Sequence, residues 1–278
     1  MTGWDNQTIA AKLRELADLL EQQQANPFRV NAYRRAARII AGHGEALISL
    51  LEREGLEGLE RLPGVGHSIA LAIEEILHTG RWLQLDRLRG SLDPEQVFRS
   101  IPGVGPELAK RIHDALEVET LAGLELAVHD GRLEHVPGVG PRRSGMISAA
   151  LAQMLRTRPA RGHPPPVEPP VEMLLDVDRE YREKAAAGNL HKIAPRRFNP
   201  TGEAWLPILH TQRDDWHFTA LFSNTARAHE LAKTNDWVVL YFHTDHEPEA
   251  QRTVVTETHG PMAGRRVVRG REGECAEL

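Results

Sequence analysis

One cysteine, Cys275, stands in a chain of 278 residues. With a single thiol no internal disulfide can form, and a reducing, cytoplasmic setting is the default expectation. No apolar run is long enough to span a bilayer, so no membrane partner is expected. The opening residues, MTGWDNQTIAAKL, lack a basic stretch followed by an apolar one, which speaks against a signal peptide. A basic excess is missing too. The net charge is −5, residues 1–158 carry 19 Lys and Arg against 21 Asp and Glu, and only five of the 34 basic residues are Lys. Domains that bind nucleic acid usually show the opposite balance. Any such contact must therefore come from local geometry and a local basic face. What is present is an ordinary globular composition, 41% hydrophobic and 26% charged, and enough length for two or three domains.

Residues 6–158 read as almost entirely helical. Ile9, Leu13, Leu16, Leu19 and Leu20 repeat at helical spacing, with Asn6 placed to cap them. FRVNAYRRAARII is a second amphipathic segment, and Ala46–Leu51 and Leu56–Leu62 supply shorter pieces. Six prolines in residues 159–172 exclude a helix there and mark a stiff linker. Beyond it DVDREYREKAAAG is helical, with Gly188 as its stop. Strands are expected at Trp205–His210, Trp216–Phe222, Trp237–Phe242, Thr253–Thr258 and Arg265–Arg269. A helix at 224–234, capped by Ser223, would make 216–242 a candidate parallel crossover. The expected organisation is multidomain: an all-α N-terminal region, 1–90 and 91–158, the linker, and a small α+β domain at 173–278.

Within the helical region one turn occurs three times. LPGVGHSIALAIEEIL begins at Leu62, IPGVGPELAKRIHDAL at Ile101 and VPGVGPRRSGMISAAL at Val136. Counted from the second glycine, position +7 is Ile73, Ile112 and Ile147, and position +11 is Leu77, Leu116 and Leu151. Position +4 is small: Ala70, Ala109 and Ser144. Each turn thus opens a helix with one buried face. Glycines admit positive φ and close approach of another backbone. The helix start adds free N–H groups and a positive dipole end. A phosphate can sit there without a basic side chain, and such a contact reads no bases. One copy would serve as well to join two packed helices; three in register favour the phosphate grip. The candidate contacts are Gly64, Val65, Gly66, His67 and Ser68; Gly103, Val104, Gly105 and Lys110; and Gly138, Val139, Gly140, Arg142 and Arg143. The third copy departs at +3, where Arg143 replaces the apolar Ile69 and Leu108.

These segments resemble the N-terminal region of family X DNA polymerases. NQTIAAKLRELADLLEQQQANPFRVNAYRRAARII with LPGVGHSIALAIEEILHTG is similar to their small lyase-type domain, and the segment from Ile101 to Ile147 to their fingers-type region. The likeness covers roughly residues 5–156. It implies helix-hairpin-helix modules that hold duplex, nicked or gapped DNA by its backbone without sequence preference. It also implies a K⁺ or Na⁺ ion on hairpin carbonyls near Ile101 and Val104. The family's lyase chemistry uses a lysine amine on the helix after the first hairpin. Here Ser68 and Ala72 stand where lysines are common, so no lyase activity is expected. The family's palm carries a Gly-Ser turn and an Asp-x-Asp on a strand for two Mg²⁺ ions. No Gly-Ser follows residue 159, and Asp176-Val177-Asp178 leads into a helix, where acidic residues suit the start.

Residues 173–278 carry no motif that identifies a characterised family. His210, Asp214, Asp215 and His217 surround an expected turn, and His243, Asp245 and His246 form a second group, but neither has a metal-ligand spacing. His191, His229 and His259 are scattered. Arg196 and Arg197 beside Phe198, and Arg265, Arg266, Arg269 and Arg271, read equally as nucleic-acid contacts or as solvated loops. Trp205, Trp216, Phe218 and Trp237 read as core. SNTARAHEL places a helix start at a strand end, a common anion position. The overall reading is a DNA-binding protein, an accessory factor in repair without catalysis of its own. Two alternatives stay open: a nuclease or nucleotidyl-transfer enzyme sited in the C-terminal domain, and a protein-interaction scaffold that has lost DNA affinity.

Overall fold

The computed structural model describes residues 4–91, 93–116, 118–154, 167–245 and 249–278. Nine α-helices come first among the described residues: α1 (Asn6–Gln22), α2 (Pro27–Ala41), α3 (Leu47–Glu60), α4 (His67–Thr79), α5 (Leu83–Leu88), α6 (Pro94–Phe98), α7 (Pro106–Leu116), α8 (Leu121–His129) and α9 (Pro141–Met154). A 3₁₀ turn at Arg132–His135 precedes α9. Then follow α10 (Val171–Ala186), β1 (His191–Ile193), β2 (Leu206–Arg213), β3 (Trp216–Phe222), α11 (Ala226–Glu230), β4 (Val238–His243), β5 (Ala250–Thr256), β6 (Arg266–Val268) and α12 (Glu272–Glu277). The fold class is the expected one, a helical region followed by α+β. Of the proline-rich linker, residues 159–166 lie outside the described residues; 167–170 are neither helix nor strand, and α10 begins at Val171.

The chain divides into two compact units that interleave in sequence. One comprises Met1–Leu92, Arg179–Leu221 and Phe242–Pro248; the other comprises Asp93–Asp178, Phe222–Tyr241 and Glu249–Leu278. In the first, α1 and α2 build the core from the spacing seen in the sequence. Ile9, Leu13, Leu16, Leu20, Tyr33, Ala37 and Ile40 are all buried. The cap of α1 differs from the expectation. Asp5, not Asn6, accepts the Thr8 N–H at 2.7 Å. Asn6 instead donates to the carbonyls of His43 and Glu45 and accepts from the Leu47 N–H at 3.0 Å, tying the entry of α3 to α1. The two short pieces expected at 46–62 are both formed: α3 is two helices that meet in a kink at Gly55, whose φ is +66°.

The six strands run β1-β2-β3-β4-β5-β6 in hydrogen-bonding order. β1 pairs antiparallel with β2, β2 with β3, and β5 with β6. The parallel crossover over 216–242 is not formed. Ser223 N–H donates to the Trp237 carbonyl at 2.8 Å, and the His217 and His243 rings stand 5.2 Å apart, so β4 returns antiparallel to β3. The physical reason is length: α11 has five residues, too short a helix to carry a strand back for parallel pairing. Its cap is Thr225, which accepts the Ala228 N–H, not Ser223. Of the four aromatics expected in the core, Phe218 and Trp237 are buried, while Trp205 and Trp216 are half-buried.

Asp176 and Asp178 lie in the middle of α10, not at its start, so they do not cap it. Asp178 is buried, and both of its oxygens accept from Arg266, at 3.1 and 2.5 Å. Arg266 also reaches Asp236 and Thr256. Gly188 ends the helix in the left-handed region, as expected, with φ +71°.

Candidate nucleic-acid interface

The three repeated segments form the same backbone structure. In each, the first glycine takes a positive φ: Gly64 +76°, Gly103 +85° and Gly138 +85°. The valine N–H closes the turn onto the residue before proline: Val65 to Leu62 at 3.0 Å, Val104 to Ile101 at 3.0 Å and Val139 to Val136 at 2.9 Å. Proline followed by a left-handed glycine, with that bond, is a type II turn. The second glycine's carbonyl then takes the first helical bond: Ala70 to Gly66, Ala109 to Gly105 and Ser144 to Gly140, each at 2.9 Å. Val65, Val104 and Val139 are buried and anchor the turns, as do Ile73, Ile112 and Ile147 on the helices. The prolines and both glycines of every turn are exposed.

The two glycines of each turn are there for different reasons. The first needs its positive φ. The second does not: none of Gly66, Gly105 and Gly140 has a positive φ, and a Cβ built on any of them meets nothing within 4 Å. Each sits where a helix would gain from a serine or aspartate cap. The fold itself thus gives no reason for glycine at these three positions.

The side chains around the turns are unequal. At the first, the His67 ring meets the Glu60 carboxylate and Ser68 is half-buried. The Arg35 stem covers Gly64, 2.9 Å from where a Cβ would stand. Ala72 is buried on α4. At the second, Glu107 lies in the first turn of α7, and Lys110 is engaged by Asp114 along the same helix at 3.1 Å. At the third, α9 has no acidic residue in its first turn; Arg142 and Arg143 are both exposed. Arg143 Nη1 donates to the Gly138 carbonyl at 2.6 Å. Arg111 of α7, which the sequence reading passed over, donates from Nη1 to the Pro137 carbonyl at 2.8 Å and from Nε to the Glu107 carbonyl at 3.2 Å.

The C-terminal candidates are absorbed by structure. His210 bonds Gln23 at 2.9 Å and Thr219 at 3.1 Å, and Gln23 in turn bonds the Leu88 carbonyl. Burial pushes His210 down to about 3, helped by Arg29 and Arg87. Burial also lowers His217, whose Nε2 stands 4.0 Å from Asp245. His246 lies outside the described residues. Among the described residues no three His, Cys, Asp or Glu side chains are grouped to hold a metal. Of the basic groups, Arg266 is tied to Asp178 and Asp236, and Arg271 to Glu274 and the Pro169 carbonyl. Arg269 stands 3.6 Å from Glu257. Arg265 and Arg196 remain exposed, and Arg197 lies over the Phe198 ring. A cleft of about 650 Å³ is lined by Arg227, Lys233, Trp237 and Arg269, but each of its three cations has an acidic neighbour within 4 Å. The anion position expected at SNTARAHEL falls on the short α11. No helix of the described residues is long and apolar enough to cross a membrane.

Comparison with known proteins matches residues 4–82 to a family described as helix-hairpin-helix domain, and residues 95–153 to one described as SAM-like helix-hairpin-helix tandem. Helix-hairpin-helix domains imply DNA binding. The chain is 23% identical to DNA polymerase/3'-5' exonuclease PolX of Bacillus subtilis over 63% of its own length and 28% of the polymerase. It is 30% identical to the Holliday junction branch migration complex subunit RuvA of Methylobacterium radiotolerans over 34% of its length and 46% of that protein. A second RuvA, from Methylobacterium sp. strain 4-46, is 26% identical over 46% of the chain and 70% of its own length. The chain therefore spans less than half of the first two relatives. Its N-terminal region is a helix-hairpin-helix region of the kind found in PolX-like proteins.

Proposed function

We propose that this protein binds DNA through its phosphate backbone, without sequence preference, using the exposed hairpin turns. It serves as an accessory factor in DNA repair, acting on duplex, nicked or gapped DNA. The observation that carries this reading is the second glycine of each turn. Gly66, Gly105 and Gly140 have open space around them and no conformational need to be glycine. Three such positions beside three helix starts are accounted for by a backbone or phosphate arriving from outside. The likeness to a DNA polymerase/exonuclease and to a Holliday junction subunit supports the same reading.

A K⁺ or Na⁺ ion fits the second hairpin. Ile101 and Val104 offer backbone carbonyls, hard neutral oxygens of the kind such ions take. The Ile101 oxygen spends one lone pair on the Val104 N–H and keeps the other. Bound there, the ion would supply fixed positive charge beside a phosphate.

The test is fluorescence anisotropy of the full chain with duplex, nicked, gapped and single-stranded DNA across a KCl series. Affinity should fall linearly in log–log form as salt rises, and unrelated duplex sequences should bind alike. Absence of salt-sensitive binding at low salt would defeat the reading and leave the interaction scaffold as the alternative.

A further inference from the structure

We infer that the third hairpin is the chain's principal phosphate contact, and that Arg111, on the helix after the second hairpin, is the residue that positions it. This inference rests on the DNA-binding reading above and ranks the hairpins within it.

The ranking follows from charge. The first hairpin has the exposed Arg35 with its stem over Gly64, but also a carboxylate, Glu60, against the first residue of its helix. The second has Glu107 in the first turn of its helix and Lys110 engaged by Asp114, while Arg111 of the same helix is turned to the Pro137 carbonyl of the third. A phosphate approaching either turn meets negative charge within one helical turn. The third has Arg142 and Arg143 in the first turn of α9 and Arg111 beside them, against one acidic side chain on the preceding 3₁₀ turn, Glu134; the nearby Arg132 is engaged by Asp130. Among the described residues Arg142 is paired with no acidic side chain.

The positioning follows from geometry. A guanidinium carries five donors in a rigid plane and accepts nothing. Arg143 spends one donor on the Gly138 carbonyl, and Arg111 spends one on Pro137 and one on Glu107. These bonds fix both planes against the turn and leave the remaining N–H groups of Arg143 for an incoming phosphate. They also cover two carbonyl oxygens that would otherwise face the anion. Arg111 brings its guanidinium so close that a Cβ on Gly138 would stand 2.6 Å from its Nη1; at the equivalent Gly64 it is the apolar stem of Arg35 that comes near, at 2.9 Å, and Gly103 has nothing within 4 Å. The third turn is thus held from outside its own segment, by a residue 26 positions upstream in sequence. Fixing a donor before the ligand arrives lowers the ordering cost of binding.

The experiment is anisotropy of the full chain on a 30-base-pair duplex at several KCl concentrations, with thermal unfolding of every variant as a check on folding. Arg142→Ala and Arg143→Ala should each weaken binding about tenfold, and each should lower the slope of log affinity against log salt by about 0.9, one phosphate contact. Lys110→Ala, at the second hairpin, should weaken binding less than Arg142→Ala or Arg143→Ala does. Arg111→Ala should weaken binding, and Arg111→Lys should recover part of it. The double variant Arg111→Ala/Arg143→Ala should bind no more weakly than Arg143→Ala alone by more than about twofold, because a positioning residue matters only through what it positions. Additive losses in the double variant, or a loss at Lys110→Ala equal to that at Arg143→Ala, overturn the inference while leaving DNA binding standing. A wild-type chain that fails to bind at any salt removes the underlying reading instead.

Discussion

Replacing Gly140 by serine should make the protein slightly more stable and a poorer DNA binder. Gly140 is exposed, has no positive φ, and leaves open space where a Cβ would go. It occupies the position just before α9, with its carbonyl accepting the Ser144 N–H at 2.9 Å. Serine is a better residue than glycine there by a few tenths of a kcal/mol. The loss of glycine's freedom in the unfolded chain adds roughly 0.4–1 kcal/mol. The net expectation is a gain of roughly 0.5 to 1.5 kcal/mol. Against this, a side chain now stands where a phosphate oxygen would approach. Losing one charge-assisted hydrogen bond costs about 1.5–3 kcal/mol, or roughly ten- to a hundredfold in affinity. Gly138→Ala is the counterpart. Alanine at φ +85° costs about 1–2 kcal/mol, and it drives Arg111 from the Pro137 carbonyl for roughly 1 kcal/mol more. That variant should lose stability and affinity together. Urea unfolding gives the first quantity and anisotropy the second. If Gly140→Ser binds DNA as the wild type does, the second glycine is not kept for a phosphate and the central argument fails. If it unfolds instead, the fold has a need for glycine that its geometry does not reveal.

Other consequences concern the scaffold. The folded value of His210, about 3, lies below the ordinary 6.5, so between those limits the unfolded chain binds the extra proton. Its contribution is complete above about pH 6.5 and is lost as pH falls; at pH 5 the loss is about 2 kcal/mol, and His210→Gln should remove that share of the pH dependence in urea unfolding. Asp178→Ala strands much of Arg266 in a nearly buried site and should cost about 3 kcal/mol, while salt-dependent DNA binding stays as in the wild type. Unchanged stability would mean that the pair is not formed. Borohydride trapping on an abasic-site duplex should give no covalent adduct, since Ser68 and Ala72 carry no amine; a trapped band would show that another amine takes over.

The parts of this protein that were readable in advance are those whose signal is local and repeated. A type II turn announces itself, because Pro-Gly-Val-Gly names the fixed φ, the positive φ and the buried anchor in consecutive residues. Three copies in register then identify the buried face at +4 and +7 without any tertiary information. The edges of α1 and α10 show the limit of such signals. Asn6 and Asp5 are both good caps, and only the chain's return past His43 and Glu45 decides that Asn6 is used elsewhere. Asp178 reads as a helix-start carboxylate until Arg266, 88 residues later, claims it. His210 belongs to a cluster by sequence, yet its partner is Gln23, 187 residues away. β1 has three residues and no alternation to display.

The same divide runs through the candidate site. Sequence alone treats the two glycines of each turn as one motif, because both permit anything a backbone can do. Structure separates them: one is required by φ +76° to +85°, the other by nothing inside the molecule. A residue that the fold does not need, at an exposed place, repeated three times, is best explained by a partner. The same reasoning raises Arg111. Its spacing on α7 marks it only as an exposed arginine, and its reach to the third turn comes from the packing of two hairpins in one unit. Charge at this interface is therefore a property of which hairpins lie side by side, not of net composition, and an overall charge of −5 does not prevent a local cationic grip at Arg111, Arg142 and Arg143.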